Sequence, residues 1–377
     1  MQLIYLSPVP LTSYAQRPHH FVEWFHRRLG QQVVWIEPGP SRLPVLSDWH
    51  RLFRPRAPVG PVWAGNEWIE RMVFPTFPLE PLGWGRAINS RRWQPMLRAL
   101  DRLMTDDSLL VVGKPCALAL ELARRYPQQK LIFDAMDNMS AFYQGLSSLR
   151  MQRAEHELAE RADYILTAST ALQEKFACYG DKVRKVMNGL SMPAPSSNAG
   201  FAPGKTKVIG YVGSIASWFD WAGVIRLAKA HPQAEIRLFG PCEQDVPSML
   251  PPNVHLRGAI AHEQVYAAMR EFTAGIIPFR INTLTDFVDP VKFYEYRALG
   301  LPVLSTKFGE MKFRTEQDGV FFLEELDRAT PIQSVWDART SAAQAADFCL
   351  ANSWGRRFDT IESFIFPPQP HPNAIDH

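Results

Sequence analysis

Cysteine is scarce in this sequence, and long apolar runs are absent. The four cysteines, Cys116, Cys178, Cys242 and Cys349, are far apart, which excludes a zinc or disulfide framework and predicts reduced, mostly buried thiols. No run of about 18 apolar residues occurs, so we expect no helix that spans a bilayer. Residues 1–8 lack a basic flank and a long apolar core, so we expect no signal peptide and a cytoplasmic protein.

An excess of one charge is also lacking. The net charge is only +3 and no recognisable nucleic-acid motif accompanies the basic residues, so nucleic acid is not an expected partner. The apolar fraction of 46% is that of a globular protein. Because single cores rarely grow beyond ~250 residues, the 377 residues predict two domains.

Arginine and tryptophan are concentrated between residues 42 and 102. This stretch contains Arg42, Arg51, Arg54, Arg56, Arg71, Arg86, Arg91, Arg92, Arg98 and Arg102 together with Trp49, Trp63, Trp68, Trp84 and Trp93. Such a mixture is typical of a surface that touches anionic lipid headgroups, so we expect peripheral membrane contact through residues 42–102. The alternative is that the arginines lie on solvated faces and the tryptophans lie in the core.

Short apolar runs alternate with helical periodicity in both halves of the chain, which predicts parallel sheets covered by helices. In the first half we predict strands at 2–7, 33–37, 109–113, 130–134 and 164–167 and helices at 19–29, 117–125 and 151–163. In the second half we predict strands at 208–212, 235–239, 254–256, 274–278 and 302–305 and helices at 221–230, 262–269, 290–299, 331–351 and 354–364.

The fold class is therefore predicted as α/β, with two Rossmann-like, doubly wound domains facing a cleft. The predicted divisions are an N-terminal acceptor-binding domain at 1–192, a linker at 193–206 that is rich in Pro, Gly and Ser, a nucleotide-sugar-binding domain at 207–352, a C-terminal helix at 353–366 packing toward the first domain, and a tail at 367–377. Ligands of such folds bind at the carboxyl ends of the strands, so we expect the site between the domains.

Two glycine-containing segments follow predicted strands of the second domain. Gly213 and Ser214 follow the first strand, and bare backbone N–H groups there favour a diphosphate. Gly240 and Pro241 repeat the geometry and would form another wall of the cleft. A tight turn without a ligand is the alternative for the first segment.

A third segment, 289–295, combines a helix start with opposite charges. Pro290 leaves the helix N-terminus facing the cleft, where anions are favoured. Lys292 and Glu295 are three residues apart on one face, so the ammonium would meet phosphates while the carboxylate takes ribose hydroxyls. A surface Lys–Glu pair is the alternative.

The order of motifs in the second domain resembles bacterial GT-B glycosyltransferases of the family 1/4 type. The segments that carry the resemblance are 210–214 (GYVGS), 238–241 (LFGP), 253–258 (NVHLRG), 275–279 (GIIPF) and 290–305 (PVKFYEYRALGLPVLS). The resemblance implies that Glu295 matches the second glutamate of the E-x7-E motif, which holds the ribose. The implied donor-binding residues are Gly213, Ser214, Gly240, Pro241, Ile260, Arg280, Pro290, Lys292, Tyr294 and Glu295.

Two features depart from that family. The first glutamate of the motif falls on Phe287, with Asp286 and Asp289 out of register, and residues 213–220 lack the usual Arg and Lys of the phosphate clamp. Arg280 or Lys292 is expected to supply that positive charge instead. Residues 17–20 (RPHH) and 133–142 resemble segments of teichuronic-acid and exopolysaccharide glycosyltransferases.

Inverting glycosyl transfer needs a base near the acceptor hydroxyl and positive charge near the departing diphosphate. We predict Asp137 as the base, with His20 as second candidate and Asp134 as a structural carboxylate. Arg17 and His19 are predicted to bind the acceptor, Arg17 through a phosphate. No metal and no cofactor are expected; the donor is a UDP-sugar or GDP-sugar.

The predicted function is transfer of a sugar from a nucleotide-sugar to a lipid-linked or polysaccharide acceptor in cell-envelope glycan biosynthesis, at the inner face of the cytoplasmic membrane. Two alternatives stay open. One is a sugar-nucleotide epimerase of the same fold. The other is a non-catalytic subunit that binds a nucleotide-sugar or glycan, which the missing glutamate and phosphate clamp would favour.

Overall fold

The chain forms two compact units, one of which is discontinuous in sequence. The structure is a computed structural model that describes residues 1–40, 66–80, 82–191 and 206–366. Unit 1 comprises Met1–Met187 and Arg357–His377, and unit 2 comprises Asn188–Arg356. The predicted tail, and the predicted linker except Thr206, lie outside the described residues.

Unit 1 is built on a seven-stranded parallel sheet with the strand order β3-β2-β1-β4-β5-β6-β7. Its strands are mostly apolar runs that are buried on both faces, as expected where helices cover a parallel sheet. The strands are β1 (Leu3–Leu6), β2 (Val33–Ile36), β3 (Ile69–Met72), β4 (Leu109–Val112), β5 (Lys130–Ala135), β6 (Tyr164–Thr167) and β7 (Val183–Lys185).

Seven described helices belong to unit 1, and the last two come from the C-terminal end of the chain. They are α1 (Arg17–Leu29), α2 (Gly83–Leu103), α3 (Ala117–Arg125), α4 (Gly145–Arg161), α5 (Thr170–Lys175), α11 (Trp354–Asp359), which begins within unit 2, and α12 (Glu362–Ile365). The C-terminal segment is held by specific contacts. Trp24 Nε1 donates to Asp359 Oδ1 over 3.0 Å, and the Phe358 ring packs edge-on against Phe21.

Unit 2 is built on a six-stranded parallel sheet with the order β10-β9-β8-β11-β12-β13. The strands are β8 (Lys207–Val212), β9 (Ala234–Phe239), β10 (Val254–Gly258), β11 (Ala274–Ile277), β12 (Val303–Ser305) and β13 (Val320–Phe322). The helices are α6 (Trp221–Ala230), α7 (His262–Arg270), α8 (Val291–Ala298), α9 (Ile332–Asp337) and α10 (Ala342–Ala351). The predicted fold class, α/β with two doubly wound parallel sheets, is confirmed.

Several predicted elements differ from the structure for local reasons. The helix predicted at 331–351 is two helices, because the Ser341 hydroxyl caps a new helix by accepting from the Gln344 N–H. The run 354–364 is likewise two short helices. The helix predicted at 151–163 begins earlier, at Gly145. Elements β3, α2, α5, β7 and β13 were not predicted. Of the four free thiols, Cys178 and Cys242 are exposed, against the expected burial.

No helix in the described part of the chain has the length and apolarity required to span a bilayer.

Candidate functional site

The predicted donor residues of unit 2 follow the carboxyl ends of its strands. Gly213 follows β8, Gly240 follows β9, Ile260 lies two residues after β10, and Arg280 lies three residues after β11. The sheet reverses its strand order between β8 and β11, and ligands of open α/β sheets bind at such switch points. Gly213 and Arg280 therefore lie after the two strands that flank the reversal.

Gly213 and Gly240 bring the loops after β8 and β9 together through bare backbone. Gly213 has φ +151° and Gly240 has φ +135°, which favour glycine, and a Cβ on Gly240 would lie 2.0 Å from the Gly213 carbonyl oxygen. The expectation that the Gly213 N–H is bare needs correction, because it donates to the Phe239 carbonyl over 2.9 Å. Helix α6 also begins only at Trp221, so Gly213 and Ser214 do not open it.

The side chain of Lys292 lies against Gly213. Its Cε and Nζ occupy the space where a Gly213 Cβ would stand, at 2.3 and 2.6 Å from that position, and Nζ lies 5.7 Å from the Tyr211 ring centre. Within the described residues the ammonium has no hydrogen-bond or ion-pair partner. Burial lowers the pKa of Lys292, and the charge of Glu295 opposes that shift. This ammonium is available to an anion at the switch point.

Glu295 lies one helical turn after Lys292 on α8 and is half-buried. Its carboxylate forms no ion pair with any described residue, so the surface Lys–Glu salt bridge considered above is not seen. Helix α8 begins directly after Pro290, which occupies the N-cap position. Lys292, Glu295 and this helix end thus share one edge of unit 2, as the sequence predicts.

Tyr294 points instead into the core of unit 2. It is fully buried, and its hydroxyl donates to Asp289 Oδ2 over 2.9 Å. Asp289 Oδ2 also accepts from the Asn188 N–H over 2.8 Å, and burial raises the pKa of Asp289 to about 6. These contacts make Tyr294 a support for the start of α8, and Asp289 does not take the place of the missing glutamate at Phe287.

The other predicted donor residues line the same edge with fewer contacts. Arg280 is exposed, and its guanidinium has no partner in the described part of the chain, while its backbone N–H donates to the Trp218 carbonyl over 2.7 Å. Pro241 is exposed and Ile260 is half-buried. Asp286 forms an ion pair with Lys312 at 2.9 Å, on the protein surface.

In unit 1, Arg17 forms a buried ion pair with Asp134. Arg17 Nε donates to Asp134 Oδ1 over 2.8 Å, Arg17 Nη1 donates to the Val186 carbonyl, and the Tyr5 hydroxyl donates to Asp134 Oδ2 over 2.9 Å. Arg17 is only 4% exposed, and Nη2 is its one nitrogen without a partner in the described residues. Asp134 is a structural carboxylate as predicted, held by the side chains of Arg17 and Tyr5.

Asp137 follows β5 by two residues and keeps a free carboxylate. It is half-buried, and no described residue donates a hydrogen bond to its side chain. Loss of hydration raises the pKa of Asp137 to about 7, against the opposing charge of Arg17. A carboxylate with a pKa near 7 is suited to general-base work at neutral pH. Of the carboxylates predicted in unit 1, Asp137 has the chemistry of a base.

The two histidines at the start of α1 have different surroundings. His19 is fully buried: the Gln16 N–H donates to its Nδ1 over 3.2 Å, and its Nε2 donates to the Leu11 carbonyl over 3.2 Å. Burial lowers the pKa of His19 to about 4, so the ring is neutral. His20 Nδ1 lies 3.6 Å from Glu23 Oε2. Both nitrogens of His19 are engaged within the chain, which favours a positioning role over acceptor binding.

Sequence reasoning missed a buried network behind Asp137. Lys175 Nζ donates to Asn138 Oδ1 over 2.9 Å and forms an ion pair with the buried Glu155, and the Ser140 hydroxyl donates to the same Asn138 oxygen over 3.1 Å. These residues lie on three separate elements. No motif could have linked them, because only the folded chain brings α5 against the loop after β5.

Sequence reasoning also missed a carboxyl beside the ends of β1 and β4. Glu80 accepts from the Ala117 N–H at the start of α3, and burial raises the pKa of Glu80 to about 7. It lines a small pocket together with Ser7, Lys114 and Cys116. Lys114 Nζ donates to the Gly39 carbonyl over 3.1 Å, so the cation of this pocket is engaged within the chain.

The arginine- and tryptophan-rich segment is described from residue 66 onward, and residues 42–65 lie outside the described part. Helix α2 exposes Trp84, Ile88, Arg91, Arg92, Arg98 and Arg102. The Arg92 guanidinium lies 4.3 Å from the Phe77 ring centre. Trp93 is in the core, as the alternative considered above has it, whereas Trp68 stacks on His26 and Trp84 is exposed.

Within the described residues, no three or more His, Cys, Asp or Glu side chains are grouped as metal ligands.

Three kinds of comparison relate this chain to known proteins. No protein-family model matches it. A protein of Bacillus subtilis (strain 168), named TuaH and assigned by its name to teichuronic acid biosynthesis as a glycosyltransferase, is 27% identical over 208 residues, which are 49% of this chain and 52% of that protein. The chain thus spans about half the length of the relative that it matches. The similarity to teichuronic-acid glycosyltransferases seen in the motifs is confirmed.

Solved structures resemble nearly the whole chain. HepE of Anabaena in complex with UDP and glucose has a TM-score of 0.62 at 15% identity and covers 97% of this chain and 99% of its own. Sucrose-phosphate synthase of Thermosynechococcus elongatus has a TM-score of 0.65 at 13% identity and covers 97% and 98%. The lipopolysaccharide outer core galactosyltransferase WaaB has a TM-score of 0.62 at 11% identity and covers 97% and 99%. This chain has the GT-B fold that these proteins share.

Proposed function

We propose that this protein is a glycosyltransferase that moves a sugar from a nucleotide-sugar, preferably a UDP-sugar, to a lipid-linked or polysaccharide acceptor in cell-envelope glycan biosynthesis. The observation that carries the proposal is the Lys292 ammonium, which pairs with no described residue and lies against Gly213 at the switch point of unit 2. TuaH is named for teichuronic acid, and HepE is described with UDP and with UDP-glucose, which supports the donor class.

In the donor complex, Lys292 and the N-terminus of α8 stabilise the diphosphate, while Glu295 accepts hydrogen bonds from the ribose hydroxyls. Gly213, Ser214, Gly240 and Pro241 provide a wall without bulky side chains, and Ile260 borders it. Arg280 supplies a second cation near the diphosphate. It takes the place of the phosphate-clamp Arg and Lys of the related glycosyltransferases, which residues 213–220 of this chain lack.

In the reaction, the Asp137 carboxylate accepts the proton of the acceptor hydroxyl. The acceptor oxygen then bonds to the anomeric carbon, and the bond from that carbon to the diphosphate oxygen breaks. The nucleoside diphosphate leaves with the electron pair, and Lys292 stabilises its growing negative charge. Arg17 contributes positive charge near Asp137, and its Nη2 is the donor that an acceptor phosphate would use.

The acceptor is proposed to lie at the inner face of the cytoplasmic membrane. The exposed face of α2, with Trp84 and several arginines, supports peripheral contact through the 42–102 segment. His20 remains the second candidate for the base, since its ring lies close to Glu23 at the start of α1.

The donor site is tested by thermal-shift titration of the full chain with UDP, GDP, UDP-sugars and GDP-sugars, because a ligand that binds the native state raises the melting temperature. We expect a shift with UDP and UDP-sugars that Lys292→Ala and Glu295→Ala remove. Lys312→Ala is the matched control, because Lys312 lies in the same unit but pairs with Asp286 on the surface.

Three results would change the proposal. No shift with any nucleotide would contradict the donor site. A shift that depends on Lys292, without release of UDP in the presence of envelope glycan or glycolipid acceptors, would favour the non-catalytic subunit, and interconversion of free UDP-sugars would favour the epimerase.

A further inference from the structure

Three large apolar side chains stand exposed within eight residues, directly after the Asp137 loop. Phe142 is 51% exposed, Leu146 is 59% exposed and Leu149 is 52% exposed. Phe142 ends a 3-10 turn (Met139–Phe142), and Leu146 and Leu149 lie three residues apart on the first turns of α4, so they share a face. We call these three residues the apolar patch. Single exposed apolar residues are ordinary, but a local group of them marks an interaction surface.

Cations without partners adjoin the apolar patch. Arg150 and Arg153 occupy the next turn of α4, both are exposed, and neither forms an ion pair or hydrogen bond with any residue that the structure describes. The carboxylates that follow on α4 are already paired. Glu157 pairs with Arg124 and Arg161, and Glu160 lies 3.3 Å from His156. This end of α4 therefore presents apolar surface together with positive charge that no described residue pairs.

The apolar patch is firmly joined to the loop that carries Asp137. The Ser148 hydroxyl donates to the Ser140 carbonyl over 3.0 Å, which ties α4 to the 3-10 turn. Asn138, at the start of that turn, is held by Lys175 and Ser140. A partner surface that binds the apolar patch therefore also lies close to the loop that carries Asp137.

We propose that Phe142, Leu146, Leu149, Arg150 and Arg153 form a docking surface for an anionic phospholipid bilayer. The three apolar side chains insert at the boundary between headgroups and acyl chains, and the two guanidinium groups bind lipid phosphates. The charge complementarity of the arginines with anionic headgroups selects a bilayer as the occupant. This inference rests on the proposed function. A docking surface at this place would present Asp137 to an acceptor anchored in the same bilayer.

Binding is measured by co-sedimentation of the full chain with vesicles of phosphatidylcholine alone and of phosphatidylcholine mixed with phosphatidylglycerol, without donor or acceptor. We expect sedimentation with the anionic vesicles. The double variant Leu146→Ser/Leu149→Ser should lower the apparent affinity by at least about tenfold. Arg150→Gln/Arg153→Gln should remove the preference for anionic vesicles. Because all four side chains are exposed, these variants should fold, which circular dichroism checks.

The matched control is Met249→Ser/Leu350→Ser, which removes two exposed apolar side chains of unit 2 and should leave sedimentation unchanged. A second comparison, Arg91→Gln/Arg98→Gln on α2, separates this surface from the 42–102 segment. The proposal is overturned if the chain sediments with no vesicle, if the Leu146/Leu149 variant binds as the unaltered protein does, or if only the α2 variant loses binding. Since no turnover is involved, a failed transferase assay leaves this result intact.

Discussion

Lys175 Nζ lies 2.9 Å from Asn138 Oδ1, and this bond links the buried Lys175–Glu155 pair to the residue that follows Asp137. The bond fixes the loop from behind, while the Asp137 carboxylate itself receives no hydrogen bond from the described residues. Asn138 thus positions the neighbouring base without a hydrogen bond to its carboxylate. The proton affinity of the Asp137 carboxylate is therefore not lowered by such a bond. Lys175 and Asn138 are thus positioning residues for the proposed base.

We expect Asn138→Ala to lower kcat by roughly 10-fold or more, because a small displacement of a catalytic group is costly. The Lys175–Glu155 pair survives this change, so the fold should survive as well. With the loop loosened, water reaches Asp137 and its pKa falls from about 7 toward its usual range. The acid limb of the pH–rate profile, measured as UDP release, should therefore move to lower pH.

Lys185→Met is the control for that experiment, because among the described residues the Lys185 ammonium donates only to the hydroxyl of Thr170, which lies on the same helix as Lys175. It should change neither kcat nor the acid limb. A lower kcat in Asn138→Ala with an unmoved acid limb would mean that the network stabilises the fold without positioning Asp137.

Asp137 should also leave a signature in stability. Its pKa is raised from 3.8 to about 7 on folding, so the native state binds the proton more tightly than the unfolded chain does. The stabilising contribution is therefore complete below pH ~4 and is lost as the pH rises toward 7. We expect Asp137→Asn to melt at a higher temperature than the unaltered protein at pH 8, with the difference shrinking toward pH 4.

The same variant should lose transfer activity by about 10²-fold or more, as removal of a general base does. Differential scanning calorimetry and UDP release, followed across the same pH range, check both parts. Equal melting temperatures at pH 8 would show that the Asp137 carboxyl is hydrated in the folded protein. Retained glycosyl-transfer activity in Asp137→Asn would mean that another group acts as the base.

Gly213→Ala should weaken nucleotide binding more than it weakens the fold. The new Cβ would stand 2.3 Å from Lys292 Cε at a φ of +151°, so the ammonium must move away from the donor site. We expect the Kd for UDP to rise about tenfold, equivalent to ~1.4 kcal/mol, by isothermal titration calorimetry.

Gly30→Ala is the matched variant, since Gly30 also has a positive φ but a Cβ there meets nothing within 4 Å. It should carry the backbone strain and leave the Kd for UDP unchanged. If both variants weaken binding equally, then strain rather than displacement of Lys292 is responsible.

Arg17→Met should destabilise unit 1 severely, because it leaves Asp134 charged and buried without its cation. Loss of one partner of a buried pair costs about 3–5 kcal/mol, which urea unfolding of the full chain measures. The exposed Arg27→Met, whose partner Glu23 lies on the same helix, should cost less than ~0.5 kcal/mol. A small cost for Arg17→Met would indicate that the hydrogen bond from the Tyr5 hydroxyl is sufficient to hold Asp134.

The sequence was sufficient for the elements whose local signals agree with their surroundings. Helix α3 and strand β6 lie where the apolar periodicity predicts them, and the helix that carries Lys292 and Glu295 begins one residue after its predicted start. The exposed start of α4 was missed because Leu146 and Leu149 are apolar yet lie in water, which no periodicity argument anticipates.

The interpretation of polar residues was less secure, because their partners are distant in sequence. By its position in the sequence Tyr294 fits a donor-binding motif. In the structure its hydroxyl donates to Asp289 in the core, and Asp289 also accepts from the Asn188 N–H. Asp134 and Arg17 are separated by 117 residues, and their pairing makes Asp134 structural, whereas the Asp137 side chain accepts no hydrogen bond from a described residue. Such choices depend on tertiary contacts rather than on local pattern.

The return of residues from Arg357 onward to unit 1 makes unit 2 an insertion within the first unit's chain. The two ends of the insertion are joined: the Leu190 N–H donates to the Asn352 carbonyl, and the Trp354 N–H donates to the Leu190 carbonyl. During synthesis on the ribosome, the contacts of Phe21 and Trp24 with Phe358 and Asp359 can therefore form only after the C-terminal segment has emerged. Unit 1 is begun first but is completed last. Residues 188–356, by contrast, form one uninterrupted segment of the sequence, so all of unit 2 has been synthesised before unit 1 can be completed.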